Sequence, residues 1–177
     1  EYGFSNAHKH DSQDVCFVPD GDYVRTIEEL IGVKPSPGDY IDVEGKRLGE
    51  HKGHWCYTVG QRKGLGIAMG KHVFVLGKDS DKNTVTLGDE EALFRREVPV
   101  DGLTMPSDPH SLDWDVRCMA KIRYAHRATG AVFHRTDGTD GVIEFDEPQR
   151  APTSGQFAVI YDESGEYVLG SAVIKSK

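Results

Sequence analysis

The sequence predicts a mainly β protein with one short N-terminal helix, a small central β-module and a C-terminal antiparallel β-barrel. Two observations lead to this fold class. Apolar residues recur at helical spacing convincingly only within residues 20–32. From about residue 40 onwards, short strand-like segments alternate with turns that are rich in Gly, Asp, Asn and Pro. Short strands at this spacing are typical of a small closed barrel.

The helix is predicted over residues 20–32. Asp20 or Asp22 can cap its N-terminus, and Gly32 provides the stop. The apolar positions at helical spacing are Tyr23, Ile27, Leu30 and Ile31. The Pro-Ser-Pro-Gly stretch at 35–38 then forms a stiff connector.

Two hairpins are predicted in the central module. In the first, strands 40–43 and 47–49 flank a turn that has glycine at Gly45. In the second, strands 72–76 and 84–87 flank a polar turn. Each pair of strands is close in sequence, so both hairpins are local predictions.

The barrel is predicted to begin with strand character over 95–103. Pro99 interrupts this segment, which favours an edge strand or a bulge. After a Pro/Ser/Asp loop at 106–111, further strands are expected at 114–123, 131–136, 142–145, 156–161 and 167–174. The turns between the last four contain Gly138, the Glu147-Pro148 pair and Gly165.

Three regions follow from this pattern, namely residues 1–33, a central module at 34–90 and a barrel at 91–177. At these sizes each module has a marginal core, so we expect it to pack against another domain. The chain begins at Glu1 without an initiator Met. We therefore expect a piece of a longer protein.

Composition limits the possible functions. The net charge of -8 argues against extensive coating of nucleic acid, but it allows a local basic face. Cys16, Cys56 and Cys118 are far apart and form no CxxC pair, which indicates a reducing, cytoplasmic setting. The sequence shows no membrane-spanning apolar run and no signal peptide. The histidines do not combine with Asp, Glu or Cys at ligand spacing, so no metal site is predicted.

Cys16 is the first candidate for chemistry. It lies between Val15 and Phe17, just before the predicted helix, among several polar residues. A thiol acts as a nucleophile only as its thiolate, which a helix N-terminus can favour. The alternative is a buried cysteine that acts as a small hydrophobic residue. We give that second interpretation to Cys56 and Cys118.

Two basic segments are candidates for binding phosphate. In the first, Gln61, Arg62 and Lys63 lie in a loop with three glycines, although a plain turn explains the pattern equally well. In the second, Arg123 and Tyr124 lie at the end of a predicted strand and can pair with a phosphate and stack on a base. The alternative there is a core tyrosine beside an arginine whose stem lies along the surface.

Four strings resemble a known family when they are taken together. They are AHKHDSQDVCF (7–17), GEHKGHWCYTVGQRKGLGI (49–67), KIRY (121–124) and FDEPQRAPTSGQFAVIY (145–161). Their order and content resemble bacterial tRNA-specific 2-thiouridylases, the MnmA/TrmU family. The resemblance extends over essentially the whole chain.

The resemblance implies an activity. Such enzymes convert the wobble uridine of certain tRNAs to 2-thiouridine, with adenylation of the uracil C2 oxygen by ATP and transfer of sulfur from a protein persulfide. It implies cytoplasmic partners, namely tRNA and a sulfur-relay protein or cysteine desulfurase. It also implies an N-terminal ATP-pyrophosphatase domain that uses ATP with Mg²⁺. The SGGxDS-type phosphate loop of that domain does not occur in this sequence, and residues 1–33 match the tail of the catalytic domain.

The resemblance also implies roles for individual residues. Cys16 matches the cysteine that carries the persulfide and forms a disulfide with an earlier family cysteine during turnover. Arg123, Tyr124 and Gln156 match positions that contact tRNA. The partner cysteine has no counterpart here, because neither Cys56 nor Cys118 lies in a matching context. We therefore expect these residues alone to be inactive.

Two other function classes stay open at this point. One is a non-catalytic RNA-binding β-barrel in which Cys16 is only structural. The other is a small barrel that mediates protein contacts.

Overall fold

The computed structural model describes residue 18, residues 23–105 and residues 115–175. Strands dominate, and they are accompanied by one α-helix and a closed six-stranded barrel, which confirms the predicted fold class. The first residues of the predicted helix and the loop at 106–111 lie outside the described residues. The division into three domains stays a prediction.

Helix α1 extends over Tyr23–Ile31. It ends where predicted, because Gly32 adopts φ +67° and its N–H donates to the carbonyl of Glu28 at 2.9 Å. A left-handed residue at this position is a common helix terminator and favours glycine. Two of the residues that gave the helical pattern, Tyr23 and Leu30, are nevertheless exposed. The helix therefore covers only part of its apolar surface within the described residues.

The central module contains one four-stranded sheet. Its strands are β1 (Gly38–Ile41), β2 (Arg47–His51), β3 (Phe74–Asp79) and β4 (Thr84–Gly88), in the order β2-β1-β4-β3. The β1–β2 and β3–β4 pairs are antiparallel, so both predicted hairpins are confirmed. The parallel pairing of β1 with β4, through Tyr40 and Val85, was not predicted.

The core of the central module is built around Tyr40, which is fully buried. Its hydroxyl donates to the carbonyl of Leu65 at 2.7 Å, so the polar end of the ring is satisfied inside the core. This bond ties the glycine-rich loop to the sheet. The other core residues are Tyr57, Val73, Val75, Val85 and Leu87.

The barrel closes in the order β10-β5-β8-β7-β6-β9, with every neighbouring pair antiparallel. Its strands are β5 (Phe94–Thr104), β6 (Asp115–Lys121), β7 (Thr129–Asp137), β8 (Asp140–Arg150), β9 (Phe157–Tyr161) and β10 (Val168–Ile174). Large side chains such as Phe133, Phe145, Ile143 and Ile160 fill the interior. The barrel is thus a packed core and encloses no channel at these positions.

Two details of the strand prediction are corrected. The strand that contains Pro99 is not an edge, because β5 pairs with β8 on one side and β10 on the other. The carbonyl of Pro99 accepts a hydrogen bond from the N–H of Lys175 at 2.9 Å. Proline lacks only the N–H donor, so it can still take part in the ladder as an acceptor. The pairing is also regular at Pro99 itself, and the irregularity in the β5–β8 register lies between Arg95 and Glu97. Pro148 does not end a strand, because β8 continues to Arg150.

The two sheets meet at one end of the barrel, which we call the junction end. The N–H of Ala151 donates to the carbonyl of Leu93 at 2.8 Å, and both residues pack with Phe74 of β3. Arg150 pairs with Glu90 at 3.2 Å, and its guanidinium lies 5.6 Å from the centre of the Phe74 ring. The contact between the sheets therefore combines a small apolar cluster with one partly exposed ion pair.

We predict that Gly141→Ala destabilises the barrel. A Cβ at this position would lie 2.5 Å from Cε2 of Phe133 and 2.7 Å from the carbonyl oxygen of His134. Neither the buried ring nor the backbone can move away freely, so we expect the free energy of unfolding to fall by about 1–3 kcal/mol in denaturant titrations. Gly77→Ala is the control, because no heavy atom lies within 4 Å of its added Cβ. Equal stabilities of the two variants would contradict the prediction.

Candidate nucleic-acid interface

Arg123 follows β6 and is turned toward the protein. Its Nη2 donates to the carbonyl of Ala151 at 2.8 Å and lies 3.4 Å from Oγ1 of Thr153. Its Nε is buried and has no hydrogen-bond partner among the described residues. The guanidinium therefore braces the segment after β8, and it is only partly accessible to a ligand.

Ala151 explains why this brace is needed. It is 1% exposed and adopts φ +53°, a left-handed conformation that costs a non-glycine residue roughly 1 kcal/mol or more. Its N–H donates to Leu93, and its carbonyl accepts from Arg123 and from the hydroxyl of Thr153 at 3.0 Å. The strained backbone is thus fixed from both sides, which sets the path of the loop that leads to Gln156.

Tyr124 presents its ring to solvent, with 72% of the residue exposed. The Nζ of Lys121 lies 5.6 Å from the centre of this ring and 5.9 Å from that of Tyr161. The alternative in which Tyr124 is a core aromatic is therefore wrong. An exposed ring beside an ammonium group can stack on a base while the cation attracts a phosphate.

Gln156 lies at the end of the loop that begins at Ala151, with its side chain exposed. Its carbonyl accepts from the N–H of Ile174 at 2.8 Å, and its own N–H donates to Thr153 at 3.2 Å. Because β6 and β9 are antiparallel, the end of β6 and the start of β9 lie at the same end of the barrel. Arg123, Tyr124 and Gln156 are thus brought together at the junction end.

The glycine-rich loop is more ordered internally than its sequence indicates. The Oε1 of Gln61 accepts from the N–H of Thr58 at 3.0 Å, and its Nε2 donates to the carbonyl of Lys63 at 2.9 Å. Its amide group is therefore used to shape the loop, as in a plain turn. Arg62 and Lys63 are exposed. These two cations remain the candidates for a contact with RNA or with another domain.

The two described cysteines are poor nucleophiles. Cys118 is 1% exposed, and burial raises its pKa to about 11. Cys56 lines a hollow of about 460 Å³ between α1 and the central module, where burial and the charge of Glu28 raise its pKa. Both therefore remain thiols at neutral pH, which agrees with our interpretation of them as small hydrophobic residues. Cys16 lies outside the described residues.

His51 has a structural role that the sequence did not reveal. In the sequence it looks like one of several basic residues near Lys52 and His54, but it is 3% exposed. Its Nδ1 accepts from the N–H of Gly53 at 3.0 Å, and its ring meets those of Tyr40 and Tyr57 edge to face. Burial lowers its pKa, so it stays neutral and adds nothing to a basic face.

Neither a metal centre nor a membrane segment is found in the described part of the chain. There, no three His, Cys, Asp or Glu side chains converge in a way that could hold a metal ion. Within the same residues, no helix has the length and apolar character needed to cross a bilayer.

Comparison with known proteins identifies the family. Residues 25–89 match the family described as tRNA methyl transferase PRC-barrel domain, and residues 103–174 match the aminomethyltransferase β-barrel domain. The tRNA-specific 2-thiouridylase MnmA of Acetivibrio thermocellus is 43% identical over 99% of this chain. The chain belongs to the tRNA-specific 2-thiouridylase family.

Two further relatives give the same result. The proteins of the same name from Clostridioides difficile and Treponema denticola are 41% and 38% identical, over 99% and 98% of this chain. The chain spans about half the length of the curated relatives that it matches, with 48% of each of these three covered. It corresponds to the C-terminal part of the thiouridylases.

Sequence reasoning missed the structural partners of the candidate residues. Ala151 and Thr153 are about thirty positions from Arg123, and nothing local in the sequence indicates that they meet. The pairing of Lys121 with Tyr161 depends in the same way on barrel closure. One local feature of the sequence indicates that a cation lies beside the Tyr124 ring, namely Lys121 three positions earlier.

We predict that Arg123→Ala loosens the junction end even without RNA. Removing a charged donor from the buried carbonyl of Ala151 should lower the free energy of local opening by about 1–3 kcal/mol. Hydrogen exchange of the Ala151 amide should then become faster by about fivefold or more. Arg123→Lys should give an intermediate rate, because one ammonium group replaces a forked donor.

Arg127→Ala is the matched control for this experiment, since Arg127 is an exposed arginine in the same loop. Exchange rates at Ala151 that are the same in the Arg123→Ala and Arg127→Ala chains would show that Arg123 does not brace this segment.

Proposed function

We propose that this chain carries the persulfide cysteine and the tRNA-docking barrel of a tRNA-uridine 2-sulfurtransferase, which makes 2-thiouridine at the wobble position. The observation that carries the proposal is the similarity to tRNA-specific 2-thiouridylases along 98–99% of the chain. The junction end supports it, because an exposed tyrosine, a nearby lysine and an exposed glutamine all lie at that end of the barrel. This combination suits contacts to bases and phosphates.

In this proposal Cys16 delivers the sulfur. The terminal sulfur of its persulfide becomes the C2 sulfur of the uridine, and AMP leaves with the former C2 oxygen. The remaining sulfur of Cys16 forms a disulfide with a second cysteine thiol of the complete enzyme. A thiol reductant then supplies the two electrons that reopen this disulfide. A cysteine desulfurase or a sulfur-relay protein of the cytoplasm reloads Cys16.

The ATP site with its Mg²⁺ is assigned to another part of the parent enzyme. The sequence contains no SGGxDS-type phosphate loop, and among the described residues no three His, Cys, Asp or Glu side chains converge on a possible metal site. We therefore expect that the residues of this chain do not hold ATP with Mg²⁺. Their proposed work is to present the persulfide and to hold the tRNA, and this chain alone is expected to be inactive.

We predict that Cys16→Ser abolishes 2-thiouridine formation by the complete enzyme while tRNA affinity stays within about twofold, because a serine hydroxyl cannot carry a persulfide. The modified nucleoside is measured by mass spectrometry of digested tRNA. Cys56→Ser is the control and should retain activity, since the Cys56 thiol is partly buried with a raised pKa. Thiolation by the Cys16→Ser enzyme would instead support the non-catalytic RNA-binding alternative.

We predict that Tyr124→Ala weakens tRNA binding by the chain about fivefold or more, since loss of one base–aromatic stack costs roughly 1–3 kcal/mol. The dependence of affinity on salt should be nearly unchanged, because no charge is removed. Tyr124→Phe keeps the ring and should bind like the wild type. Tyr167→Ala is the matched control, since Tyr167 is an exposed tyrosine that precedes β10, at the opposite end of the barrel. Wild-type affinity of the Tyr124→Ala chain would contradict a role in docking.

A further inference from the structure

A cleft of about 350 Å³ separates the central sheet from the junction end of the barrel. Val59 and Leu76 line it from the central module, and the half-buried Pro99 and Pro152 line it from the barrel. Its volume lies at the lower end of the range for pockets that bind small organic groups, roughly 300–1,000 Å³. The cleft therefore has an apolar floor that can receive a base or a ribose.

Positive charge surrounds this floor in an otherwise acidic chain. Lys78, Arg95 and Lys175 line the cleft, against one carboxylate from Glu97. Lys78 donates to the carbonyl of Tyr57 at 2.9 Å, and Arg95 to that of Phe94 at 3.1 Å. Of these three cations, only Lys175 forms an ion pair within the described residues, with Asp140 at 2.9 Å. Lys78 and Arg95 thus line the cleft without forming an ion pair in the part of the chain that the structure describes.

The electrostatics of Lys78 agree with an incoming anion. Partial burial of its ammonium group lowers its pKa, and Cys56 opposes this effect more weakly. A phosphate oxygen would restore the stabilisation of the charged form that burial removes.

The cleft is continuous with the proposed RNA-docking residues. Thr153 lines the cleft and lies 3.4 Å from Nη2 of Arg123. Ile174 also lines it and donates its N–H to the carbonyl of Gln156. A strand of RNA that touches Tyr124 and Gln156 would therefore pass the mouth of the cleft.

We infer that this cleft binds a nucleotide of the tRNA, with its phosphate between Lys78 and Arg95 and its base or ribose on the apolar floor. The inference rests on the proposed function and extends it, because the central module then becomes part of the RNA-binding surface. RNA is favoured over a free nucleotide because the cleft opens beside the docking residues of the barrel.

The test compares single variants of the full chain in tRNA-binding titrations over a range of salt concentrations. Lys78→Ala and Arg95→Ala should each weaken binding about threefold to tenfold and reduce the slope of log affinity against log salt by about 0.7–1. Lys82→Ala is the control for Lys78→Ala and removes a charge from the turn after β3. Arg96→Ala is the control for Arg95→Ala and removes a charge from β5. Neither control residue lines the cleft. Both controls should bind like the wild type, and thermal unfolding should verify that all four variants fold.

The outcomes separate the inference from the proposed function. If the cleft variants match their controls while Tyr124→Ala still weakens binding, the cleft inference is overturned and the docking proposal stands. If the wild-type chain shows no salt-dependent affinity for tRNA, both are overturned. A competition experiment with AMP tests whether the cleft prefers a free nucleotide. Displacement of tRNA by micromolar AMP would assign the cleft to a free nucleotide and overturn its assignment to RNA.

Discussion

The hydrogen bond between Arg123 and the carbonyl of Ala151 is the contact on which the junction end depends. Ala151 holds a left-handed backbone at a buried position, and it also bonds to Leu93 at the start of the barrel. The loop that follows carries Thr153 and Gln156, and Ala151 fixes the point at which this loop leaves the barrel. A single guanidinium thus links the contact between the two sheets with the surface proposed to meet RNA.

Local features of the fold were predictable from the sequence, and long-range pairings were not. Both central hairpins and the end of α1 at Gly32 were found where turn and capping residues placed them. The parallel pairing of β1 with β4 leaves no local pattern, because it joins two segments that already form separate hairpins. Pro99 misled the prediction for a physical reason. A missing N–H removes one donor, but the carbonyl can still pair inside a closed barrel.

In the candidate site, too, the positions of the residues were predictable from the sequence, but their long-range contacts were not. The sequence placed Arg123, Tyr124 and Gln156 by resemblance, but it could not tell which side chain faces solvent. In the structure the ring is outside and the guanidinium is partly inside, which is the reverse of the simple expectation for a tyrosine beside an arginine. Hydrophobicity alone could not predict this, because the orientation of Arg123 depends on the carbonyl of Ala151, about thirty residues away, to which its guanidinium donates.

The parallel β1–β4 pair has a consequence for how the central module assembles. Tyr40 and Val85 must meet across a long connection, whereas each hairpin closes within a few residues. Non-local pairings of this kind form late, because the entropy of closing the intervening chain opposes them. The connection contains the glycine-rich loop with Arg62 and Lys63, anchored to the sheet through Tyr40 and Leu65. The loop that carries these two cations is therefore expected to reach its final position late in folding.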